Sequence, residues 1–399
     1  MRDALAIVGA STRSAAHSAL RAGWRPTCAD QFADVDLQSV CPAARIEDYP
    51  GGLLDWLDQT ECNSWIYTGG LENHPELVDR MAARRPLLGN REAVLTAVRS
   101  PCRLAHVLGE SGLLFPETSP ISHGDLHHRV TENYLLKTCR QSSGLGVLGL
   151  ISGPDARDHP ARQIAKGKTD PLFLQQRVEG TACSATFVGW SAKATFLGLV
   201  RQLVGLSWAG AARYQYCGSI GPERSCSSAM HGQIVRIGNL LAKQFGLRGL
   251  FGVDLMIDGE RIWTIEVNPR YTAAVEVLER ATGIRAIAWH VAACCRAGGS
   301  VLNPAPMRPA GCASGQDGGS THGKVILFAK HQTTILGPLV RWALEQARRP
   351  GWPLVADIPA VGTVVGPHQP ILTLFARGPS FERVERALRR RVADVERRL

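Results

Sequence analysis

The sequence predicts a mixed α/β (α+β) protein of several packed subdomains, and three observations carry that expectation. Short apolar strands alternate with helical spacings over the first ~90 residues. A strand-rich middle contains one long helix with a regular apolar stripe, and strand signals resume after a Gly/Pro/Ser/Ala-rich segment. With 399 residues the chain is long enough for two to four such units. Its 45% hydrophobic and 20% charged content excludes global disorder, collagen and coiled coil.

At the start, Leu5 to Val8 reads as a strand running into Gly9, Ala10 and Ser11, and Ala15, Ala19 and Leu20 follow on a helical spacing. Trp65 to Tyr67 reads as a second buried strand, with a helix over about 73–84. This is a Rossmann-like beginning, but G-x-G-x-x-G is missing, so a bound dinucleotide is not expected. Short helices are expected near 92–98 and 102–110, and Tyr134 to Lys137 is a compact strand followed by a small-residue loop. Further strands are expected at 172–178, 183–188 and 195–203. The helix over 228–245 carries Met230, Ile234, Ile237, Leu241 and Phe245 on one stripe. Leu250–Ile257 and Arg261–Val267 form a hairpin across Asp258-Gly259. Residues 298–323 read as a linker, followed by a strand at 324–328, a β-like stretch to about 375 and a final helix from Ser380.

The composition narrows the partners. The formal charge is +10, yet only 7 of the 45 basic residues are Lys, and the 38 Arg are scattered. The densest cluster, Arg389 to Arg391, is interleaved with Glu382, Glu385, Asp394 and Glu396, as on a solvated helix face. No nucleic-acid partner is expected. The 11 Cys include no C-x-x-C pair, which suggests reduced thiols rather than a zinc ribbon or a disulfide framework. No apolar run reaches the ~18 residues of a membrane span, and the opening segment lacks the parts of a signal peptide, so no membrane partner and a cytoplasmic location are expected.

Four features carry chemistry. Lys137 ends a strand and precedes Ser142, Ser143, Gly144 and Gly146, a loop whose backbone N–H groups can turn toward a phosphate while the lysine supplies a point charge. A lysine before an ordinary tight hairpin is the plainer alternative. The segment Gln175-Gln176-Arg177-Val178-Glu179-Gly180 links two strands and can offer its backbone to an adenine edge. Asp254, Glu266 and Asn268 sit in otherwise apolar strands, where unpaired acids are costly to bury; a hard cation or a structural salt bridge would each answer that cost. The parity of a hairpin centred on Asp258-Gly259 is expected to bring the three to one face. Arg270, two residues after Asn268, can neutralise charge developing in phosphoryl transfer.

In this order the four resemble the ATP-grasp superfamily over about residues 100–290, with Ile265-Glu266-Val267-Asn268-Pro269-Arg270 the most specific piece. The resemblance implies an ATP-grasp two-lobed core between the N-terminal domain and a small β-rich C-terminal region. Its divisions are an N-terminal domain over 1–98, a small lobe with the glycine-rich lid over 99–178, a large lobe with the metal site over 179–297, the linker 298–323 and the C-terminal region 324–399. It implies ATP as cofactor with Mg2+, two ions, or Mn2+ in its place, held by Asp254, Glu266 and Asn268. Lys137 and Ser142 to Gly146 become the phosphate clamp, and Gln175, Gln176, Val178 and Glu179 the hinge and ribose region. Arg103 stands where many members put a first phosphate lysine, and Arg270 is the catalytic cation. The N- and C-terminal parts resemble a branch described as predicted ATP-dependent carboligases. Two positions depart from the family pattern: Ala182 stands where an acid often binds ribose, and Ala274 where biotin-dependent carboxylases carry a glutamate. The implied reaction is ATP-dependent carboxylate–amine ligation of small-molecule substrates through an acyl phosphate. A carboxylation, disfavoured by Ala274, and a nucleotide-binding regulatory module are the alternatives, and the oligomeric state stays open.

Overall fold

The computed structural model describes residues 3–121, 133–140, 144, 146–149, 171–295, 319–348 and 352–399. The N-terminal part runs β1 (Ala4–Val8), α1 (Arg13–Arg21), β2 (Arg25–Asp30), α2 (Val35–Gln38), β3 (Ala43–Arg45), α3 (Leu53–Gln59), β4 (Ser64–Tyr67) and α4 (Pro75–Ala82). Its strands form a parallel sheet in the order β3-β2-β1-β4. Strand β1 and the Trp65–Tyr67 run of β4 are buried and mostly apolar because both faces are covered. Leu5, Ile7 and Ile66 pack with Ala15, Ala16 and Ala19 of α1, while Ala6, Val8 and Trp65 pack with Leu53, Leu57 and Val78. Strands β2 and β3 carry no apolar run, and the sequence reading passes over them.

Helices α5 (Glu92–Val98) and α6 (Pro101–Glu110) lead into a small antiparallel sheet of β5 (Thr118–Ile121), β6 (Tyr134–Thr138), β7 (Val147–Gly149) and β8 (Leu172–Gln176), ordered β5-β8-β6-β7. Its apolar face is small: Ile121, Leu136, Leu172 and Leu174.

The rest of the chain is organised by a second, larger sheet. Its elements are β9 (Thr181–Trp190), β10 (Ala194–Val204), β11 (Tyr216–Gly221), α7 (Ser228–Phe245), β12 (Arg248–Asp258), β13 (Arg261–Asn268), α8 (Ala273–Thr282), α9 (Ala286–Cys295) and β14 (Thr321–Phe328). They are followed by β15 (Thr333–Thr334), α10 (Gly337–Ala347), β16 (Val355–Ala356), β17 (Val364–Val365), β18 (Pro370–Gly378) and α11 (Phe381–Glu396). Eight strands pair in the order β13-β12-β9-β10-β11-β14-β18-β16. Helix α7 begins where the Ser227 side chain accepts the Met230 N–H and ends at Gly246 in the left-handed region. Its stripe of Ile234, Ile237, Leu241 and Phe245 covers Phe187 and Phe251, whose rings stack at 5.1 Å.

Three expectations are corrected. Strand β14 begins at Thr321, inside the segment read as linker; residues 298–318 of that segment lie outside the described ones. Residues 337–347 form helix α10 rather than β-like chain: Pro338 falls in the first turn, where its missing N–H costs nothing, and Leu339, Val340 and Ala343 are buried. The hairpin turn is Gly259-Glu260, since Asp258 pairs with Arg261.

A buried ionic cluster holds these parts together. Arg13 of α1 donates to both carboxylate oxygens of Glu276 on α8 and to Asp357, which follows β16. Lys324 of β14 reaches the same glutamate at 3.1 Å, and Arg280 lies 3.5 Å from it. Side chains of Arg13 and Glu276 are each 2% exposed, so removing one partner strands a charge away from water. Arg13→Met should cost about 3–5 kcal/mol in urea unfolding, whereas Arg45→Ala, which breaks the exposed pair with Glu47, should cost under about 1 kcal/mol. Equal losses would show that the cluster does not bear on stability.

Candidate active site

Direct partners on adjacent antiparallel strands share a face of the sheet. The registers Glu266↔Asp254, Asp254↔Ser184, Ser184↔Val200, Gln202↔Ser219 and Ser219↔Lys324 therefore place one polar band across five junctions of the large sheet. Apart from Val200, these side chains line a cavity of about 470 Å³. Lys137, Gly144, Gly146 and Gln175 of the small sheet border the same cavity, as do Gly69 and Arg13 from the N-terminal part and Asp357 from the C-terminal part.

The acidic pair depends on an irregularity that the sequence reading did not contain. A regular ladder from the Gly259-Glu260 turn would set Asp254 opposite Ile265 and turn Glu266 to the other face. The parity expected from an uninterrupted hairpin is thus wrong. In the structure the register shifts between Asp254 and Leu255, Ile265 is the extra residue, and Asp254 comes to face Glu266. Asn268 donates from Nδ2 to Asp254 Oδ2 at 3.1 Å and to Glu266 Oε1 at 3.2 Å, so all three sequence-chosen oxygen ligands do converge. Gln202 Nε2 reaches Asp254 Oδ1 at 3.0 Å across the intervening strand β9.

The electrostatics of the pair suit a cation. Burial and then the charge of Glu266 push Asp254 up to about 8. Burial also works against ionising Glu266, but Lys137 and then Arg99 outweigh it and hold that carboxyl below its ordinary value. Two carboxylates side by side are donors that fit a hard divalent ion; Asn268 turns its NH2 to them and its oxygen to Arg270, so it would join an oxygen-only set by flipping its amide.

Opposite them, Lys137 Nζ donates to Gln175 Oε1 at 2.7 Å, and Gln175 is 2% exposed. Gly144 sits at φ +76°, and a Cβ there would fall 1.9 Å from the carbonyl oxygen of Tyr214, so this loop position admits only glycine. Ser142 and Ser143 lie outside the described residues. Arg270 enters from the end of β13 and is oriented by Glu72 Oε1 at 2.7 Å and by the Tyr271 carbonyl at 3.1 Å.

Some expected residues do not reach the cavity. Arg103 is exposed on α6 with its guanidinium 5.6 Å from the centre of the Phe245 ring; Arg99, at the C-terminal cap of α5, borders the cavity instead. Gln176, Val178 and Glu179 lie outside the lining, because β8 turns the Gln176 side chain to the face opposite Gln175 and Glu179 is held at the surface near Arg177. Residues missed by the sequence reading include Glu72, Gln202, Lys324 and Asp357. Lys324 carried a readable signal, a rare lysine inside an apolar strand, the same signal that singled out Lys137.

Residues 105–274 match the ATP-grasp domain family. The chain carries an ATP-grasp domain. It is 22% identical over 193 residues to an uncharacterized protein of Methanocaldococcus jannaschii, covering 48% of this chain and 46% of that one. A 52-residue stretch is 36% identical to the carbamoyl phosphate synthase large chain of Clostridium acetobutylicum, 13% of this chain and 5% of that one. The chain thus spans under half the length of these two curated relatives. Among solved structures, N5-carboxyaminoimidazole ribonucleotide synthetase (PurK) in its ADP complex superposes with a TM-score of 0.69 at 15% identity, over 98% of this chain and 97% of that one. The L-amino acid ligase from Bacillus licheniformis gives the same values. The biotin carboxylase domain of Hydrogenobacter thermophilus 2-oxoglutarate carboxylase, with MgADP and bicarbonate, gives 0.70 at 14%, over 96% and 88%. At these identities the likeness shows the ATP-grasp fold. Among the described residues no helix is long and apolar enough to cross a membrane.

Because Asp254 must lose its proton to take a cation, Mg-nucleotide affinity should weaken by up to about tenfold per unit as pH falls below about 8 and level off above it. Titration calorimetry between pH 6 and 9 checks this. Asp254→Asn should bind more weakly with a flat profile, and a flat profile in the unaltered protein would overturn the assignment.

Proposed function

We propose that the chain is a cytoplasmic ATP- and Mg2+-dependent ligase that joins a small-molecule carboxylate to an amine or another nucleophile through an acyl phosphate. One observation carries the reading: Asp254, Glu266 and Asn268 face Lys137 and the Gly144/Gly146 loop across one cavity, which continues past Arg270 to a further polar end. Asp254, Glu266 and Asn268 would hold the magnesium, which when bound supplies charge neutralisation on the phosphate oxygens. Lys137 would clamp those oxygens, and Arg270, fixed by Glu72, would steady the transferring group and the later tetrahedral oxyanion. The carboxylate oxygen forms a bond to the γ-phosphorus as ADP leaves. The amine then attacks the acyl carbon, phosphate departs, and the amine's proton passes to solvent. No side-chain nucleophile is needed. The fold likeness to a biotin carboxylase domain favours carboxylation as a second reading, but the buried Ala274 leaves no acid four residues after Arg270.

The purified protein should release ADP and phosphate from MgATP only when the correct acid and amine are both present. Glu266→Gln should abolish release, and Arg270→Met should slow it by about a hundredfold or more while MgATP still binds. MgATP binding without ADP release in any acid and amine mixture would sink the ligase reading in favour of a regulatory module. Release that requires bicarbonate would favour carboxylation.

A further inference from the structure

Two cysteine sulfurs meet inside the N-terminal part. Cys28 lies on β2 and Cys41 in the chain that follows α2, and their Sγ atoms are 3.7 Å apart. The backbone keeps them there: the Cys28 N–H donates to the Pro42 carbonyl at 2.9 Å, and Cys28 is the register partner of Ala43 on β3. Bringing the sulfurs to bonding distance, about 2 Å, therefore asks for a side-chain movement of under about 2 Å with the strand pairing kept. The two thiols differ in access and in acidity. Cys28 is 0% exposed and belongs to the apolar cluster of Leu5, Ile7, Ala15 and Leu37. Cys41 is 9% exposed and is flanked by the exposed Ser39, Val40 and Pro42. A hydrogen bond from the Cys28 thiol favours the Cys41 thiolate and lowers Cys41 below the ordinary thiol value; the same bond, and then burial, raise Cys28. The thiolate is the nucleophile in thiol–disulfide exchange, so Cys41 is the one placed to meet a reagent first.

We propose that Cys28 and Cys41 form a redox-active dithiol, a modification site whose co-reactant is a low-molecular-weight disulfide. The Cys41 sulfur bonds to one sulfur of the reagent, the reagent's S–S bond breaks, and the departing thiolate takes up the proton that Cys41 gave. The Cys28 sulfur then bonds to Cys41 Sγ, and the second reagent sulfur leaves with the proton of Cys28. The protein loses two electrons, and one reagent disulfide becomes two thiols. The product ties β2 to the chain just beyond α2, the helix whose Asp36 accepts the N–H groups of Asp357 and Ile358 at 3.0 and 2.8 Å. In a reducing compartment such a pair is a reversible sensor rather than a permanent brace. The site is independent of the ligase reading.

The test treats the full chain with glutathione disulfide under conditions that leave its near-ultraviolet circular dichroism unchanged. Remaining thiols are then blocked with N-ethylmaleimide in denaturant, and the chain is cut at Asp30, Asp34 and Asp36, which separate the two cysteines. Mass spectrometry should find the fragments carrying Cys28 and Cys41 joined, and dithiothreitol added before the blocking step should return both as blocked thiols. Cys28→Ala should leave Cys41 as a mixed disulfide with glutathione, whereas Cys41→Ala should modify the sealed Cys28 about tenfold more slowly or not at all. In the unaltered protein, both cysteines blocked and unlinked, or Cys41 joined to a cysteine other than Cys28, would overturn the pair. Equal rates of modification in the two variants would overturn the order of attack.

Discussion

The carboxylate of Glu276 has to be neutralised inside the protein, and the way this is done joins three distant stretches of chain. Its cations come from α1, from its own helix one turn later and from β14: Arg13, Arg280 and Lys324. Arg13 also holds Asp357, whose backbone N–H is in turn accepted by Asp36 of α2. A buried acid costs several kcal/mol when left unpaired, so none of these stretches can shift independently. Three of these residues, Arg13, Lys324 and Asp357, also line the cavity. Glu276 sits in the first turn of α8, the helix that starts five residues after Asn268. Seating that helix therefore also fixes the direction in which Asn268 and Arg270 leave β13.

The metal-ligand end of the cavity obeys a different constraint. Two acids placed face to face repel, and the register shift at Ile265 imposes that arrangement where a regular hairpin would separate them. Without a cation, the proton retained by Asp254 and the amide of Asn268 relieve the repulsion. In the proposed reading a divalent ion held by the two carboxylates and Asn268 would neutralise the pair instead. The strands thus hold a geometry that is uncomfortable when empty and would be satisfied when filled, which is the sense in which a site is preorganised.

What was legible in the sequence followed from local pattern. The stripe of α7, the apolar runs of β1 and β4 and the acids inside the apolar strands β12 and β13 each state their environment within a few residues. What was not legible depended on distant partners. Strand β2 has the composition of a loop and becomes a strand because β1 presents an edge to it. Glu72 follows a Gly-Gly turn with nothing nearby to mark it, and its partner is 198 residues away. The bulge was hidden for a related reason: Trp263-Thr264-Ile265-Glu266 alternates no differently with or without an extra residue, and only the demand that Glu266 face Asp254 selects it. Arg103 misled in the opposite direction, since its spacing from the later strands is suitable but α6 turns its side chain away from the cavity onto the Phe245 ring.

The distribution of lysine and arginine then becomes informative. Arginine is the default cation of this chain, 38 of 45, yet both ends of the cavity present lysine: Lys137 beside the glycine loop and Lys324 beside Glu276. The arginines near the cavity serve differently. Arg13 and Arg270 use their planar groups to bind carboxylates of the protein, holding Glu276, Asp357 and Glu72 in place. That is the task for which a rigid fork of five donors is suited, and it leaves few donors over. An ammonium is compact, can spend one hydrogen bond on a protein acceptor and still offers two to a ligand. Lys137 does this with Gln175 and Lys324 with Glu276, so the two lysines share one design: each is anchored by a single buried oxygen and open toward the cavity. Arg13 belongs to the frame, Arg270 is held by it at the cavity wall, and the two lysines keep donors free toward the space between.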